Sequence, residues 1–561
     1  MSKYTIGIDF GSLSARAVLA DAENGRVCGT VVFEYPHAVM DKTLPDGTVL
    51  APDSAFQHPQ DYIDAFQATI PDLLAQTGCE AENIIGIGID ATSCTVLPVA
   101  KDGTPLCLKE KYSSEPQAYI KMWKHHAAAE YAERLSAAAE TVCPEIPEKF
   151  GGNISAESFF PKLWEVFDRA PEVYREMDEY LEAGDWLVCT LTGQRVRNSC
   201  AAGYKAYYDG AESGYPPEEL FRAAGFQPGQ PVREKMPSPV IPIGTRAGRL
   251  LPETAGKLHL LPGTPVAAAV LDAHVCVPAA GVASPGHMLM IMGTSACQML
   301  LGTEEKTVSG ICGAVKNGIL PGYIGYEAGQ SSVGDLFGWF VKNCVSPQTF
   351  ENSIAANTDI HTYLSKLAEK KKAGETGLLA LDWLNGNRSI LCDYDLSSLL
   401  VGLNMQTAPE DIYRAFIESA AFGCRVIIEN FRKNGVPVGR LTVSGGISRK
   451  NPFAMQLYAD ILNMPVEVID EECGPALGSA IFAAVAAGKT AGGYETMAEA
   501  IRAMKSKRTK YFHPNAENVS VYNCLYTHYC ALYELFGHGS IMKDLTKLRR
   551  HTAEQQNDGL K

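Results

Sequence analysis

The sequence predicts a duplicated α/β fold, in which two halves of the chain share one architecture and face a common cleft. Three observations support this prediction. The chain has 561 residues, which is more than one hydrophobic core usually serves. A strand–turn–strand pattern near the first residue recurs close to mid-chain. Each half later contains a second strand that runs into a polar or glycine-rich turn.

The first of these patterns is the segment TIGIDFGSLSARAVL at 5–19. Apolar residues on both sides of Asp9-Phe10-Gly11-Ser12 predict two strands joined by a tight turn. Gly11 lets a ligand approach the backbone closely, Asp9 supplies a fixed negative charge, and Ser12 offers a hydroxyl. The turn therefore suits a phosphate with its bound cation, although an ordinary polar hairpin has the same pattern.

The second copy begins with a predicted strand at His287–Met292, which leads through Gly293-Thr294-Ser295 into another strand at Ala296–Leu301. Short glycine turns also recur by chance in a chain with 51 glycines. The matching apolar flanks, and the positions near the starts of two near-equal halves, favour a duplication instead. We place the division near Ala283-Ser284-Pro285-Gly286, which gives domains at 1–284 and 285–561.

The later strand of each half is Ile84–Ile89 before Asp90-Ala91-Thr92, and Leu441–Val443 before Ser444-Gly445-Gly446. Two facing phosphate-binding turns in one cleft predict a nucleoside triphosphate as ligand. The chain has no G-x-x-x-x-G-K-[ST] segment and no protein-kinase motif set, which excludes those two enzyme classes. Helices are predicted between the strands, among them Pro59–Ala75, Ala408–Asn434 and Gly478–Ala487.

The net charge of −15 makes nucleic acid and acidic membrane surfaces unfavourable partners. The longest apolar stretch, Val266–Ala283, contains Asp272 and His274 and is therefore not interpreted as a membrane span. The 16 cysteines are scattered and never form C-x-x-C. We therefore expect reduced thiols in a cytoplasmic protein.

Two sets of residues with metal-binding or acid–base side chains are not expected to form sites. One offers the ligand types of a zinc site: Cys524, His528, Cys530 and His538. Aromatic and apolar residues recur around it at helical spacing, which predicts a packed helix instead. The other set is His125 and His126, which we expect on the surface of a helix.

Several motifs carry a family resemblance. Asp-Phe-Gly-Ser at 9–12, Gly-Thr-Ser at 293–295 and Ser-Gly-Gly at 444–446 resemble the actin, hexokinase and chaperone ATPase superfamily. Within it, the chain resembles the FGGY carbohydrate kinases over nearly its whole length. The signature-like segments are Pro161-Lys162-Leu163-Trp164, Asp185-Trp186-Leu187, Leu191-Thr192-Gly193, and Gly402-Leu403 with Asp411-Ile412, Ala415 and Glu418. The resemblance implies two actin-like (ribonuclease-H-like) domains, with ATP and Mg²⁺ as phosphoryl donor and cofactor.

Four stretches resemble the ribulokinases of that family: Gly151–Ser158, Asp272–Val275, Tyr326–Gln330 and Asp382–Arg388. Ala273 and His274 follow Asp272, where glycerol and xylulose kinases usually have an amide residue. No dense cluster of arginine and lysine occurs in the sequence near the expected sugar residues, which favours a neutral sugar. The resemblance implies phosphorylation of L-ribulose at O5 in L-arabinose catabolism, and D-ribulose or a pentitol stays open as the substrate.

The resemblance also implies the roles of residues at the nucleotide end. Asp272 is the expected base that takes the proton from the sugar hydroxyl, and a helix N-cap is its structural alternative. Asp9 is expected to hold Mg²⁺ through water, with Asp272 sharing the ion. The expected ATP contacts are Gly11, Ser12, Gly293, Thr294, Gly334, Gly338, Gly445, Gly446 and Asn451. For Gly334 and Gly338, close helix packing is an equal alternative.

The expected sugar contacts are the backbone groups of Ala91 and Thr92, a donor in Lys205 and acceptors in Glu327 and Asp272. Lys205 is bracketed by tyrosines, so a lysine covering a packed face is its alternative. Two other functions stay open. A shape-switching ATPase of the superfamily would need no base such as Asp272, and a sugar sensor would bind without turnover. The small-molecule sugar is the expected partner, and a homodimer is the assembly that the resemblance allows.

Overall fold

The computed structural model describes residues 2–210 and 214–558. Its strands are β1 Tyr4–Phe10, β2 Ser14–Asp21, β3 Val27–Glu34, β4 Phe56–Gln57, β5 Ile84–Ala91, β6 Val96–Val99, β7 Ile120–Lys121, β8 Glu179–Glu182, β9 Arg197–Asn198, β10 Val240–Ile241, β11 Arg246–Arg249, β12 Pro265–Ala267, β13 Val270–Leu271, β14 His287–Met292, β15 Ala296–Gly302, β16 Gly313–Lys316, β17 Ile324–Gln330, β18 Leu379–Leu381, β19 Leu399–Val401, β20 Arg440–Ser444, β21 Val466–Ile469 and β22 Thr509–Phe512.

Its α-helices are α1 Pro59–Thr77, α2 Ala129–Val142, α3 Glu145–Lys149, α4 Phe159–Arg169, α5 Pro171–Glu176, α6 Ala183–Thr192, α7 Ser199–Ala206, α8 Glu218–Ala224, α9 Pro252–Leu258, α10 Asp272–Ala279, α11 Gly334–Cys344, α12 Pro347–Ala355, α13 Ile360–Ala368, α14 Pro409–Lys433, α15 Gly446–Lys450, α16 Pro452–Leu462, α17 Gly474–Ala487, α18 Met497–Met504, α19 Ala516–Gly537 and α20 Ile541–Asp558.

The two central sheets have the same strand pattern, which confirms the predicted duplication. The first runs β3-β2-β1-β5-β12-β11, with β13 also paired to β5, and the second runs β17-β15-β14-β20-β21-β22, with β16 added beyond β17. In both, two antiparallel pairings lead into two parallel ones and end on an antiparallel edge. The two predicted turns are closed alike, by Gly11 N–H to Ser14 O at 3.0 Å and Gly293 N–H to Ser295 O at 2.9 Å.

The first half carries a further four-stranded sheet, β4-β7-β6-β8, which packs with α2 and α4 around its own apolar core. Lys162 of α4 is buried there and donates to the carbonyl oxygens of Cys94 and Met122, both at 2.7 Å. The signature-like lysine therefore holds together two loops that follow β5 and β7. Its part in the resemblance is structural.

Helix α17 belongs to the second half by sequence but packs on β1 and β5 of the first sheet. A Cβ on Gly7 would lie 1.8 Å from the carbonyl oxygen of Ala476, and one on Gly88 would lie 1.9 Å from that of Ser479. Only glycine lets the helix lie this close to the strands. Buried apolar residues of both halves join around this helix, so the halves share one of their cores.

The expected helices are present, with α17 starting four residues earlier than Gly478. The predicted packed helix around Cys524 is confirmed as α19, which buries Tyr522, Tyr526, Tyr529 and Tyr533. None of the described helices combines the length and apolar character needed to cross a bilayer.

The expected surface position of His125 is wrong. Its side chain is fully buried in the loop after β7, whereas His126 is 52% exposed. The backbone N–H of Ala55 donates to Nδ1 of His125 at 3.1 Å, and Nε2 lies 2.7 Å from Oε2 of Glu165. Burial lowers the pKa of His125 to about 4, so the imidazole is neutral and donates from Nε2. Lys121 instead supplies the charge for Glu165, at 2.8 Å.

Candidate active site

Three neighbouring strands of the first sheet end in carboxyl groups at one edge. Asp9 on β1 lies in register with Asp90 on β5, and Asp272 directly follows β13, whose Leu271 pairs with Ala91. Ser479 of α17 donates to Oδ2 of Asp90 at 2.6 Å. Within the described residues, Oδ1 of Asp90 is buried without a hydrogen-bond partner. Clustered carboxylate oxygens are the ligands that Mg²⁺ prefers.

The carboxyl group of Asp272 titrates where a general base is useful. Burial and the charge of Asp9 raise its pKa to about 7. Asp272 is the first residue of α10, and its Oδ1 accepts the N–H of Ala273 at 2.7 Å. The position before the helix is occupied by Leu271, so the expected N-cap alternative does not describe Asp272.

Hydrogen bonds from neighbouring segments of the chain hold the two phosphate-type turns in place. The carbonyl oxygen of Ser12 accepts from Gln57 at 2.9 Å, and its Oγ accepts from the indole of Trp123 at 3.2 Å. The carbonyl oxygen of Thr294 accepts from the backbone of Val333 at 2.8 Å, at the start of α11. In the described part of the chain, the amides of Ser12 and Thr294 have no acceptor, which leaves both available to phosphate oxygens.

A cavity of about 880 Å³ adjoins the second turn. Four expected ATP contacts line it: Gly293, Gly334, Gly446 and Asn451. Apolar and aromatic side chains that the sequence did not single out complete it: Phe337, Ile447, Phe453 and Tyr413. Phe337, Ile447 and Phe453 lie within two residues of predicted contacts, and Tyr413 lies on α14, so nearness in sequence to the predicted contacts is the one available signal. The volume and apolar lining suit an adenosine.

Of the other expected ATP-contact glycines in the second half, Gly445 and Gly338 are not among the residues that line this cavity, and the surroundings of each glycine differ. Gly445 has φ 109°, and a Cβ there would lie 2.2 Å from the carbonyl oxygen of Met292. A Cβ on Gly334 would lie 2.6 Å from the carbonyl oxygen of Gly293, so close packing applies to it. Among the described residues, no atom lies within 4 Å of a Cβ on Gly338, so close packing does not explain that glycine.

Asn451 is already engaged by the protein. Its Oδ1 accepts from Ala454 at 3.0 Å as the N-cap of α16, and its Nδ2 donates to Ser365 Oγ at 3.0 Å. The side chain therefore shapes the cavity wall, and a contact to the nucleotide would share these groups.

The expected sugar residues of the two halves meet across the cleft. Lys205 of α7 lines a small polar cavity of about 80 Å³ together with Glu157 of the first half and Arg388 of the second. Burial alone would lower the pKa of Lys205, but the charges of Glu327 and Glu157 outweigh it and raise that pKa. Lys205 therefore faces the cavity as a cation and does not merely cover a packed face.

Glu327 on β17 is held from two sides. Its Oε1 accepts from Arg388 at 3.1 Å, and its Oε2 accepts from the ring of His274 at 3.1 Å. Although burial opposes ionisation, the His274 hydrogen bond and the nearby cations lower its pKa to about 2. A Cβ on Gly329 would lie 3.0 Å from Arg388 Cδ, so the glycine makes room for the guanidinium.

The sequence has no dense cluster of arginine and lysine near the sugar residues, but the fold brings two basic side chains together there. Arg388 and Lys205 come together although they are far apart in the sequence, and Glu157 and Glu327 balance their charge. Arg388 and Glu157 belong to two of the stretches that resemble the ribulokinases. The sequence alone does not place either side chain in the pocket.

Ala91 and Thr92 lie beside Asp272, as the pairing of β5 with β13 requires. The Thr92 hydroxyl is within 2.6 Å of Thr95 Oγ1, and the Thr92 N–H donates to Phe10 O at 3.3 Å. The Thr92 side chain is therefore used to shape the turn, which leaves backbone carbonyl groups as its contribution to a ligand.

Comparison with known proteins agrees with this geometry. The N-terminal domain model of the FGGY family of carbohydrate kinases matches residues 4–277, and its C-terminal domain model matches 288–487. The chain is 49% identical to a ribulokinase of Bacillus licheniformis, covering 96% of this chain and 98% of that protein. It is 46% identical to a ribulokinase of Geobacillus thermodenitrificans, with 98% and 97% covered.

A solved gluconate kinase of Lactobacillus acidophilus has the same fold, with a TM-score of 0.79 at 18% identity, covering 96% of this chain and 99% of that one. The duplicated sheets, the carboxylate edge and the cleft between the halves thus occur in a chain that both domain models match. This protein belongs to the FGGY family of carbohydrate kinases.

Proposed function

We propose that this kinase transfers the γ-phosphoryl group of ATP to O5 of L-ribulose, giving L-ribulose 5-phosphate and ADP in L-arabinose catabolism. The observation that carries the proposal is the polar cluster between the two halves, in which Lys205 and Arg388 line one pocket and Arg388 donates to Glu327 at 3.1 Å. The near-full-length similarity to two ribulokinases supports the choice of sugar. In this proposal, residues 1–284 bind the sugar, with Glu327 and Arg388 added from residues 285–561, which also hold the nucleotide.

The base of the reaction is Asp272. A sugar hydroxyl becomes an effective nucleophile only when its proton is removed as the new bond forms, and a group with a pKa near neutrality suits that task. The pKa of Asp272 is raised to about 7 by burial and by Asp9. The fixed hydrogen bond from the N–H of Ala273 holds one carboxylate oxygen in place, so that the other is available to the sugar.

Asp9 and Asp272 fit a Mg²⁺ ion. Burial raises the pKa of both groups, and the charge of Asp9 adds to the rise at Asp272, so a bound cation would stabilise both carboxylates. Mg²⁺ supplies charge neutralisation for the transferred phosphoryl group when it is bound. The free amides of Ser12 and Thr294 hold phosphate oxygens from the two sides of the cleft, and the hydrogen bond from Trp123 fixes the hydroxyl of Ser12 in the first turn.

A substrate panel tests the proposal. Initial rates of ADP release are measured with Mg-ATP and L-ribulose, D-ribulose, D-xylulose, L-xylulose, ribitol and glycerol, one at a time. We expect the highest kcat/KM for L-ribulose. D-ribulose well ahead of L-ribulose would make the protein a D-ribulose kinase, and glycerol or a xylulose ranking first would refute the ribulose assignment. ATP hydrolysis that no sugar stimulates would favour a shape-switching ATPase. The proposed site of action is the cytoplasm, where ATP is available.

A further inference from the structure

The polar side chains of the sugar pocket follow one another from the base to the surface. Glu327 contacts the helix that begins at Asp272, because its Oε2 accepts from the ring of His274 on α10 at 3.1 Å. Arg388 contacts Glu327 at 3.1 Å and also lines the 80 Å³ cavity beside Lys205. Glu157 lines the same cavity and pairs at 3.2 Å with the exposed His126, which marks the outer end.

These groups differ in what they can bind. Carboxylates only accept hydrogen bonds, whereas guanidinium and ammonium groups only donate them. In the described residues, the Lys205 ammonium has no hydrogen-bond partner, and Arg388 uses its N–H groups only toward Glu327 and, at 4.0 Å, Cys297. The donors of Lys205 and Arg388 therefore face the cavity, with the acceptor Glu327 on the side of Asp272 and the acceptor Glu157 on the outer side.

The cavity is small. A volume of about 80 Å³ holds roughly five water-sized groups, which suits the end of an open sugar chain but not a second ring. An open 2-ketopentose has hydroxyls at C5, C4 and C3, a carbonyl at C2 that can only accept, and a hydroxyl at C1. The order of acceptors and donors from Asp272 outward matches this series.

We propose that Arg388, together with Lys205, donates hydrogen bonds to the C2 carbonyl oxygen of a ketopentose, and that Glu157 accepts from its C1 hydroxyl. Glu327 then accepts from a hydroxyl between the carbonyl and the reacting O5. The inference rests on the proposed function, because it takes a pentulose phosphorylated at O5 as the substrate. Arg388 and Glu157 thereby select ketoses over alditols and over sugars without the C1 hydroxyl.

The test compares kcat/KM of wild type and variants for three acceptors: L-ribulose, ribitol and 1-deoxy-L-ribulose. Arg388→Met should lower the value for L-ribulose by about 10- to 100-fold, the loss expected for a hydrogen bond to a charged group. The loss for ribitol, which has no carbonyl, should be several-fold smaller. Arg388→Lys should retain part of the preference for the ketose. Glu157→Gln should reduce the advantage of L-ribulose over the 1-deoxy sugar and leave the 1-deoxy sugar nearly unchanged.

Arg440→Met is the matched control, because it removes an arginine–glutamate pair at 2.7 Å to Glu467 on the second sheet, outside the pocket. It should leave all three values unchanged. Equal losses for L-ribulose and ribitol in Arg388→Met would overturn the inference, since Arg388 would then only support Glu327. If Arg388→Met does not fold, Arg388→Lys and the half-buried Glu157→Gln decide by the same ratios. A wild type that phosphorylates no ketopentose would refute the proposed function itself, and this inference with it.

Discussion

Acid should destabilise this protein through one buried imidazole, that of His125. Nδ1 of His125 accepts the N–H of Ala55, so that nitrogen carries no proton, and Nε2 donates to Glu165. Protonation would break the bond to Ala55 and place a second cation beside Lys121. Burial accordingly lowers the pKa of His125 from 6.5 to about 4.

The pKa values of His125 in the unfolded and folded chain determine the sign and size of the change in stability with pH. The unfolded chain binds the proton first as the pH falls, so the stability due to neutral His125 is complete above pH 6.5 and is lost toward pH 4. The loss in the free energy of unfolding is about 3 kcal/mol over the whole interval, and about 1 kcal/mol of it falls between pH 7 and pH 5.5. Ordinary surface carboxylates titrate mainly below that window.

Urea unfolding at pH 7 and pH 5.5 measures this contribution in wild type and in His125→Asn, whose amide oxygen can still accept from Ala55. The difference in the free energy of unfolding between wild type and His125→Asn should shrink by about 1 kcal/mol at the lower pH. Phe56→Leu is the control, because it replaces a ring whose centroid lies 4.9 Å from that of the imidazole with a side chain that does not titrate. Its free energy of unfolding should differ from that of wild type by the same amount at both pH values. If the difference in the free energy of unfolding between wild type and His125→Asn is also the same at both pH values, His125 is not held as a neutral imidazole.

Three further outcomes are expected. Asp272→Asn should bind ATP and L-ribulose in calorimetry but lower kcat by about 10²- to 10⁴-fold, and near-full turnover would contradict its role as the base. Gly88→Ala should lower the free energy of unfolding by about 1–3 kcal/mol, because the new Cβ would lie 1.9 Å from Ser479 O. Gly439→Ala is the control and should change the free energy of unfolding little, because no described atom lies within 4 Å of a Cβ there. Equal effects of the two substitutions would show that α17 moves away from β5 at little cost. Small-angle scattering should show a smaller radius of gyration with a non-hydrolysable ATP analogue, Mg²⁺ and L-ribulose than without ligands, and an unchanged radius would count against closure of the cleft.

The fold was largely predictable because its signals are local. Apolar runs that end in Asp9 and Gly293 define strands and turns within a few residues, and the repetition of one such unit indicates the second sheet. Asp9 and Asp272 come at the ends of β1 and β13, which both pair with β5. The family resemblance, and not a local signal, predicts that the two carboxylates share one ion.

The outer end of the site depends on long-range contacts that no spacing rule encodes. Arg388 reaches Glu327 from a loop 61 residues later in the chain. The burial of His125 is likewise decided by Glu165, 40 residues further along. Arginine is mostly exposed and histidine is intermediate on average, so residue type alone does not predict either of these buried contacts.

The packing of α17 on β1 and β5 also sets an order of events during synthesis. When the first half has left the ribosome, the sheet face around Gly7 and Gly88 is still without its covering helix. The helix follows roughly 200 residues later, a delay of about 10–40 s at usual rates of translation. Over that interval the nascent chain presents a glycine-rich, apolar sheet surface to the cell. The demand for chaperones therefore falls on the first half, although the helix that covers this surface belongs to the second half.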